Sequence, residues 1–106
     1  MMKPLDLLIE PSVHEARKQL PGHVRQQIKL AIASLAGDPR PAQTQPLDVA
    51  GIDLPAGVEM LRLRLDRWRL VYAVHNEEGW VWVLGLYRRP PYDYDDLREL
   101  AARLGA

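Results

Sequence analysis

The sequence lacks cysteine, net charge and any long apolar run. Without cysteine, the chain has no disulfide bonds, no cysteine-ligated zinc and no thiol nucleophile. No segment approaches the roughly 18 apolar residues of a membrane helix, and residues 1–6 lack the basic and apolar parts of a signal peptide. We therefore expect a cytoplasmic protein with no membrane partner. The 14 Lys and Arg against 14 Asp and Glu argue against a polyanionic partner, unless the basic side chains are gathered in one segment.

The composition is that of a folded globular domain. With 47% hydrophobic and 26% charged residues, the chain lies far from the low hydrophobicity and high net charge of disordered proteins. Its 106 residues match the usual size of one domain. We expect residues 1–106 to form a single domain.

The first half of the sequence predicts a strand and a helical hairpin. Residues 5–10 are a short apolar run closed by proline, which is typical of a strand. Ser12 and Glu15 have the spacing of a capping box and predict a first helix that ends before the Pro-Gly corner. The apolar positions of the next segment follow one helical stripe, and Gly37 is expected to end this second helix in a left-handed conformation.

The second half predicts a loop, three strands and a helix. Residues 38–57 are rich in proline and glycine, and a loop of that length is expected to be functional or ordered against a partner. Residues 61–65, 68–74 and 80–87 are predicted to be antiparallel strands, because the turns between them are too short for a crossover. Residues 93–106 are predicted to form a C-terminal helical tail. The expected fold class is α+β, with an N-terminal strand and a helical hairpin packed on a mostly antiparallel four-stranded sheet.

The first turn sets the register between the first two of these antiparallel strands. If Asp66 and Arg67 form a two-residue turn, Arg64 lies opposite Arg69 on the same face. Like charges in directly opposed positions destabilise a sheet. The pair therefore favours a site at which an anion compensates the two charges, whereas a single surface arginine is more often only solvated.

The second turn extends the register to the last strand. A three-residue loop with Gly79 in the left-handed conformation places Asn76 opposite Trp80, and Arg69 opposite Tyr87. The face expected to receive the helical hairpin then collects Leu61, Leu63, Leu65, Trp68, Leu70, Tyr72, Val74, Trp82, Leu84 and Leu86. The other face collects Arg62, Arg64, Arg69, Val71, Ala73, Val81, Val83, Gly85, Tyr87 and Arg89. We expect this second face to be a basic surface beside a floor of small residues.

Charge is distributed unevenly along the chain. Residues 61–92 carry 6 basic and 3 acidic side chains, whereas residues 93–106 carry 2 basic and 4 acidic ones. The predicted sheet is therefore positively charged although the whole chain is neutral. Arginine is always charged and forms paired hydrogen bonds with phosphate, so the basic face favours a phosphate ligand.

The order of these elements and three motifs resemble the RelE/ParE superfamily of bacterial toxins. The motifs are Leu61-Arg62-Leu63-Arg64, Trp68-Arg69-Leu70-Val71-Tyr72 and Tyr87-Arg88-Arg89-Pro90-Pro91-Tyr92-Asp93-Tyr94. The resemblance covers nearly the whole chain and implies a RelE-type fold, a cytosolic location and a cognate antitoxin protein as partner. For the RelE branch it implies cleavage of messenger RNA on the ribosome. In that reaction the ribose 2′-OH attacks the adjacent phosphate without a metal or other cofactor.

The resemblance also implies roles for individual residues. Arg69 stands where the family has a strand arginine that contacts the scissile phosphate, and Arg89 stands where it has an arginine that assists the leaving oxygen. The C-terminal tyrosine of the family corresponds to Tyr94 or Tyr92. The implied catalytic residues are Arg64, Arg69, Arg89 and Tyr94, and the implied substrate-binding residues are Arg62, Arg88 and Tyr92.

The general base of that reaction is not assigned by the resemblance. Arg62 and Arg64 stand where RelE has lysines, and Arg88 stands where several ribonuclease members have a histidine. An arginine, with a pKa above about 12, does not readily take up the proton. This departure favours a second interpretation, a ParE-like toxin that binds DNA gyrase without cutting RNA. A third is a non-toxic member that keeps only the antitoxin surface, with the acidic C-terminal helix across the basic face.

Overall fold

The sheet is assembled from strands that are not consecutive in the chain. The computed structural model describes residues 4–88 and 97–104. Its elements are β1 (Asp6–Ile9), α1 (Pro11–Lys18), α2 (Gly22–Ser34), β2 (Thr44–Pro46), β3 (Val58–Leu65), β4 (Trp68–His75), β5 (Trp80–Arg88) and α3 (Leu97–Leu104). The strand order is β1-β5-β4-β3-β2, with β1 parallel to β5 and the other pairs antiparallel. The predicted α+β class, with a helical hairpin and a mostly antiparallel sheet, is confirmed.

The sheet has five strands rather than the predicted four. The additional strand, β2, lies within the segment predicted to be a loop and pairs with Leu61–Leu63 of β3. Tyr72 anchors this segment, since its hydroxyl donates to the Pro39 carbonyl at 2.6 Å and lies 3.2 Å from the Thr44 hydroxyl. The sequence did not indicate β2 because the strand is too short to show alternation and ends in Pro46, which fits only a sheet edge.

The helical hairpin is present, but the predicted capping box at Ser12 is wrong. The capping position lies two residues earlier, at Glu10, which makes no side-chain cap hydrogen bond, and α1 begins at Pro11. Proline is favoured at the first helical position because the N–H it lacks would have no intrahelical partner there. Glu15, the other half of the predicted box, instead pairs with Lys18 at 3.2 Å.

The predicted left-handed cap at Gly37 is also wrong. α2 ends at Ser34 and is capped by Leu35 with φ −64°, and Gly37 is not among the residues with positive φ. The N–H groups of Gly37 and Asp38 both donate to the Ser34 carbonyl, at 3.2 and 3.0 Å, so the end of the helix is satisfied without a left-handed residue. The longest described helix, α2, has 13 residues, and no helix in this part of the chain is long and apolar enough to cross a membrane.

The turn between β4 and β5 differs from the prediction. The register between β3 and β4 is as predicted, but residues 76–79 all lie in the second turn, so the predicted three-residue loop is wrong. His75, and not Asn76, is the partner of Trp80. Gly79 adopts the predicted left-handed conformation, with φ +76°.

A bulge in β5 compensates for the longer turn. Val83 pairs with Tyr72, whereas Gly85 pairs with Val71, so Leu84 is an extra residue on β5. An inserted residue moves all side chains on one side of it to the opposite face of the sheet. Beyond the bulge the register returns to the predicted one.

Because of the longer turn, the predicted faces at the beginning of β5 are wrong. Val81 and Val83, predicted on the second face, pack instead in the core under the helical hairpin. Trp82 and Leu84, predicted under the hairpin, lie on the second face. The cause is the period of two along a strand, which turns an error of one residue in the turn into a change of face.

Two apolar clusters pack on the two faces of the sheet. The core under the hairpin contains Val13, Ile28, Ile32, Leu35, Leu61, Leu63, Leu70, Tyr72, Val74, Val81 and Val83. The second cluster contains Met60, Val71, Ala73, Leu84, Leu97, Leu100 and Ala101. α3 therefore packs on the second face, where the third interpretation placed the C-terminal helix, and covers the predicted floor of small residues. The small residues of the floor accept the apolar side of an amphipathic helix.

Candidate functional site

Two arginines face each other at the hairpin between β3 and β4. Arg64 and Arg69 are Cα partners, as predicted. Directly opposed residues in antiparallel strands have Cβ atoms about 4.5–5.5 Å apart. Arg64 is exposed, whereas only 3% of Arg69 is accessible. Two positively charged side chains thus start from adjacent positions, and one extends into solvent while the other is buried.

The guanidinium of Arg69 is held by the backbone of its own hairpin. Its Nη1 donates to the carbonyl oxygens of Asp66 at 2.8 Å and Trp68 at 2.9 Å. Asp66 adopts a left-handed conformation with φ +54°, which aspartate tolerates better than most residues. Hydrogen bonds to these carbonyls offset the cost of burying a charge. Arg69 therefore stabilises the turn in this conformation, rather than projecting from a basic surface as predicted.

Arg62 lies between the edge strand and α3. Its Nη2 donates to Gln45 Oε1 of β2 at 2.6 Å. The side chain also lines a cavity of about 250 Å³ together with Asp48 and Leu97. Arg62 is half-buried, so it is less available to a ligand than Arg64.

Three exposed arginines are grouped at one end of the sheet, which we call the basic end: Arg64, Arg67 and Arg88. Arg67 lies in the turn beside Asp66, and Arg88 is the Cα partner of Trp68 at the end of β5. Within the described residues, none of the three takes part in an ion pair. Guanidinium groups without a carboxylate partner are suited to phosphate oxygens.

Tyr87 is the tyrosine that lies beside Arg69, because the two residues are Cα partners as predicted. Its ring lies against Gly85, where an added Cβ would be 2.6 Å from both Cε2 and the hydroxyl of Tyr87. Tyr87 was not among the predicted site residues, although a glycine inside a strand signals the close approach of another group. The other predicted site residues on this segment, Arg89, Tyr92 and Tyr94, lie outside the described residues.

Glu10 connects the beginning of α1 to the second face. One carboxylate oxygen accepts a hydrogen bond from Trp82 Nε1 at 2.9 Å, and the other lies 3.4 Å from Arg103 Nη1. The side chain of Glu10 is 18% exposed, so this ion pair is screened less than a surface pair. Glu10 thus holds α3 against the sheet. No sequence pattern indicates this pair, because its members are separated by 93 positions.

His75 and His14 have hydrogen-bond partners away from the basic end. His75 Nδ1 accepts a hydrogen bond from the Glu78 N–H at 3.1 Å, at the opposite end of the β3–β4–β5 sheet. His14 Nδ1 accepts one from Arg17 within α1 at 2.9 Å. In the part of the chain that the structure describes, no three side chains of His, Cys, Asp or Glu are grouped as metal ligands. The groups at the basic end that can act on an anion are therefore the arginines.

Comparison of the sequence with known protein families finds no match. Comparison with curated proteins finds no match either. Structural comparison, in contrast, gives clear neighbours, all of them at low sequence identity. The similarity of this chain to other proteins is therefore visible in the fold and not in overall sequence.

The structural neighbours are RelE proteins. RelE in the archaeal RelE–RelB complex from Pyrococcus horikoshii OT3 is 19% identical, with a TM-score of 0.72 over 85% of this chain and 100% of that chain. A substituted E. coli toxin RelE in the free state is 21% identical, with a TM-score of 0.61 over 95% and 97% of the two chains. The toxin–antitoxin complex RelBE2 from Mycobacterium tuberculosis gives 20% identity and a TM-score of 0.60 over 82% and 100%. The chain has a RelE-like fold, as its motifs predicted.

Proposed function

We propose that the chain is the toxin of a type II toxin–antitoxin system and that it cleaves messenger RNA on the ribosome. The observation that carries the proposal is the exposed guanidinium of Arg64, opposite Arg69, at the basic end of a RelE-like sheet. Arg88 adds an exposed guanidinium at the same end. Closely spaced arginines are suited to bind the phosphate of a nucleic-acid backbone.

The proposed reaction requires no metal because the nucleophile belongs to the substrate. The 2′-oxygen of a ribose loses its proton and bonds to the adjacent phosphorus, and the bond from phosphorus to the 5′-oxygen breaks as that oxygen takes up a proton. The products are a 2′,3′-cyclic phosphate and a 5′-hydroxyl. Arginine stabilises the additional negative charge of the transition state. Its pKa, above about 12, suits it to this role and not to proton transfer.

An antitoxin and the ribosome are the proposed partners. One structural neighbour was solved as a RelE–RelB complex and another as a toxin–antitoxin complex. The neutral net charge of this chain predicts weak nonspecific binding to nucleic acid. The proposal is therefore that the ribosome presents the messenger RNA, while a cognate antitoxin blocks the toxin.

Inducible expression in a bacterial host tests the proposed function. We expect growth arrest, together with new 5′ ends inside translated messages. Arg64→Ala should abolish both effects, because it removes the exposed guanidinium proposed to bind the phosphate. The variant should still fold, since the hydrogen bonds of Arg69 stay in place. Arg25→Ala on the exposed surface of α2 is the matched control and should remain toxic. Full toxicity of a folded Arg64→Ala variant would contradict the proposal.

A ParE-like toxin that binds DNA gyrase is the second candidate function. The burial of Arg69 supports it, because a guanidinium that is 3% exposed and bonded to backbone carbonyls is not presented to a substrate. This candidate predicts gyrase-dependent DNA breaks with intact transcripts in arrested cells. Cleaved transcripts without DNA breaks would eliminate it. Absence of both effects would favour the third interpretation, a non-toxic protein that binds an antitoxin.

A further inference from the structure

A crevice opens beside the outer edge of β5, where β1 ends. β1 pairs with residues 80–83 only, so in the described part of the chain residues 84–88 have no strand on that side. α1 and α3 flank this edge from the two faces of the sheet and enclose a space of about 250 Å³. The edge of a strand carries N–H and C=O groups that its own ladder does not use. The crevice is thus bordered by backbone hydrogen-bonding groups as well as side chains.

An aromatic ring forms one wall of this crevice. Tyr87 lines it, and the ring is folded back along β5 over Gly85. Any larger residue at position 85 would displace the ring, because an added Cβ would lie 2.6 Å from it. Flat aromatic surfaces of this kind stack with unpaired nucleobases.

Side chains of both charges and a neutral hydroxyl line the rest of the crevice. Glu99 and Arg103 enter from α3, and Ser12 enters from α1. A carboxylate only accepts hydrogen bonds and a guanidinium only donates them, while a hydroxyl does both. Because Glu10 and Glu99 lie near Arg103, the crevice is not strongly cationic and does not favour a phosphate. A neutral planar ring with donors and acceptors on its edge fits this lining, and nucleobases have that character.

The crevice adjoins the hairpin of the proposed active site through Tyr87, although no arginine of that hairpin lines it. Tyr87 pairs with Arg69 on one side and lines the crevice on the other. We propose that the crevice between α1, β5 and α3 binds one unpaired nucleobase of the RNA, next to the phosphate held by Arg64. This inference rests on the proposed function, and it adds a site that selects which nucleotide lies beside the cleaved bond.

Binding of small nucleotides tests the pocket separately from cleavage. Amide shifts of the isotope-labelled full chain are followed during titration with the four ribonucleoside 3′-monophosphates, and with ribose 5-phosphate as a probe without a base. We expect the nucleotides to shift the amides of Gly85, Tyr87 and α3, with affinities that differ among the four bases. Ribose 5-phosphate should shift only residues of the basic end.

Filling the crevice provides the matched variant. Ala16→Leu adds three carbons from the α1 wall without touching an arginine or Tyr87, and leucine is compatible with a helix. We expect base-dependent affinity to fall by roughly tenfold or more, as expected when stacking of one base is lost. Ala33→Leu, at an exposed position of α2, should bind like the parent chain. Should Ala16→Leu fail to fold, Tyr87→Ala is expected to give the same loss.

The outcomes separate the pocket from the proposed function. Equal shifts from ribose 5-phosphate and the nucleotides, or unchanged affinity in folded Ala16→Leu, would overturn the pocket while leaving RNA cleavage intact. Base-dependent shifts at Gly85 in a chain that cleaves no RNA in cells would support the pocket and contradict the nuclease. If Ala16→Leu instead weakens only the binding of a protein partner, the crevice is a protein-binding surface and the inference is wrong.

Discussion

Arg64 and Arg69 start from directly opposed positions on one face of the β3–β4 hairpin, yet their guanidinium groups have different surroundings. Arg69 turns back onto the carbonyls of Asp66 and Trp68, while Arg64 remains in solvent. From the sequence, a bound anion was expected to compensate the two charges. In the structure, backbone carbonyls partly compensate the charge of Arg69. Arg64 is therefore the member of the pair that is available to a ligand.

Removing one charge of this pair is expected to stabilise the fold. Arg64→Gln eliminates the repulsion between opposed like charges and should raise the free energy of unfolding by about 0.2–1 kcal/mol. The gain should shrink at high salt, because screening already weakens repulsion between exposed groups. Urea denaturation at low and high salt measures both effects. Arg67→Gln, in the turn and without an opposed partner in the described strands, is the control, and an equal gain there would contradict this explanation.

Tyr72 is expected to make stability depend on alkaline pH. Burial raises the pKa of its hydroxyl above the ordinary value of 10.0, so the folded state favours the neutral hydroxyl. This contribution to stability is complete below pH 10.0 and is lost as the pH rises through the folded-state pKa. Tyr72→Phe should be less stable by about 1 kcal/mol near neutral pH, because it removes the bond to the Pro39 carbonyl.

The measurement for Tyr72 is urea denaturation at several pH values between neutral and strongly alkaline. The parent chain should lose stability more steeply than Tyr72→Phe at the alkaline end, so the two curves approach each other. Tyr87→Phe, whose ring is only half-buried, serves as the comparison. Parallel curves for the parent chain and Tyr72→Phe would show that Tyr72 does not titrate differently in the two states.

The hairpin at the basic end was predictable because a two-residue turn permits only one register. Arg64 and Arg69 could therefore be paired from the sequence alone. The pairing at the other end of β4 could not be predicted from the sequence. The length of the second turn and the extra residue Leu84 depend on how the strands twist together. The longer turn and the extra residue offset each other, so the predicted pairing of Arg69 with Tyr87 is correct. Between the turn and the bulge, the predicted faces of the β5 side chains are wrong.

Long-range side-chain contacts were also beyond the sequence pattern. Alternation along β4 placed Arg69 on the second face but gave no indication that its guanidinium would turn to the hairpin carbonyls. The anchoring of α3 by Glu10 depends on a contact with Arg103, at the far end of the chain. Periodicity describes which face a residue occupies, whereas burial depends on which element covers that face.

Gly57 is expected to tolerate no side chain. It adopts φ +83°, and an added Cβ would lie 2.8 Å from Nε2 of the buried His75. Gly57→Ala combines backbone strain with this close contact and should destabilise the fold by about 1–3 kcal/mol. Gly37→Ala is the matched control, since nothing lies within 4 Å of its added Cβ, and it should be neutral or stabilising by about 0.4–1 kcal/mol. Equal thermal stability of the two variants would refute this explanation.

Glu10 is expected to control how firmly α3 covers the second face. Glu10→Gln keeps an oxygen that can accept the bond from Trp82 but removes the ion pair with Arg103. The loss of about 1 kcal/mol should appear as roughly fivefold faster hydrogen exchange in α3, because local opening is governed by the contacts that hold the element. β4 should exchange at an unchanged rate, since the described hydrogen bonds of the Glu10 side chain go to Trp82 of β5 and Arg103 of α3.

A double-mutant cycle separates this ion pair from other effects of the Glu10 substitution. Once Arg103→Gln has removed the partner, Glu10→Gln should have little further effect on exchange in α3. Glu59→Gln is the control, because it breaks an exposed ion pair with Arg40 that does not involve α3. If Glu10→Gln speeds exchange in α3 equally with and without Arg103, then the helix is held by its apolar contacts with Met60, Leu84 and their neighbours, and Glu10 does not fasten it.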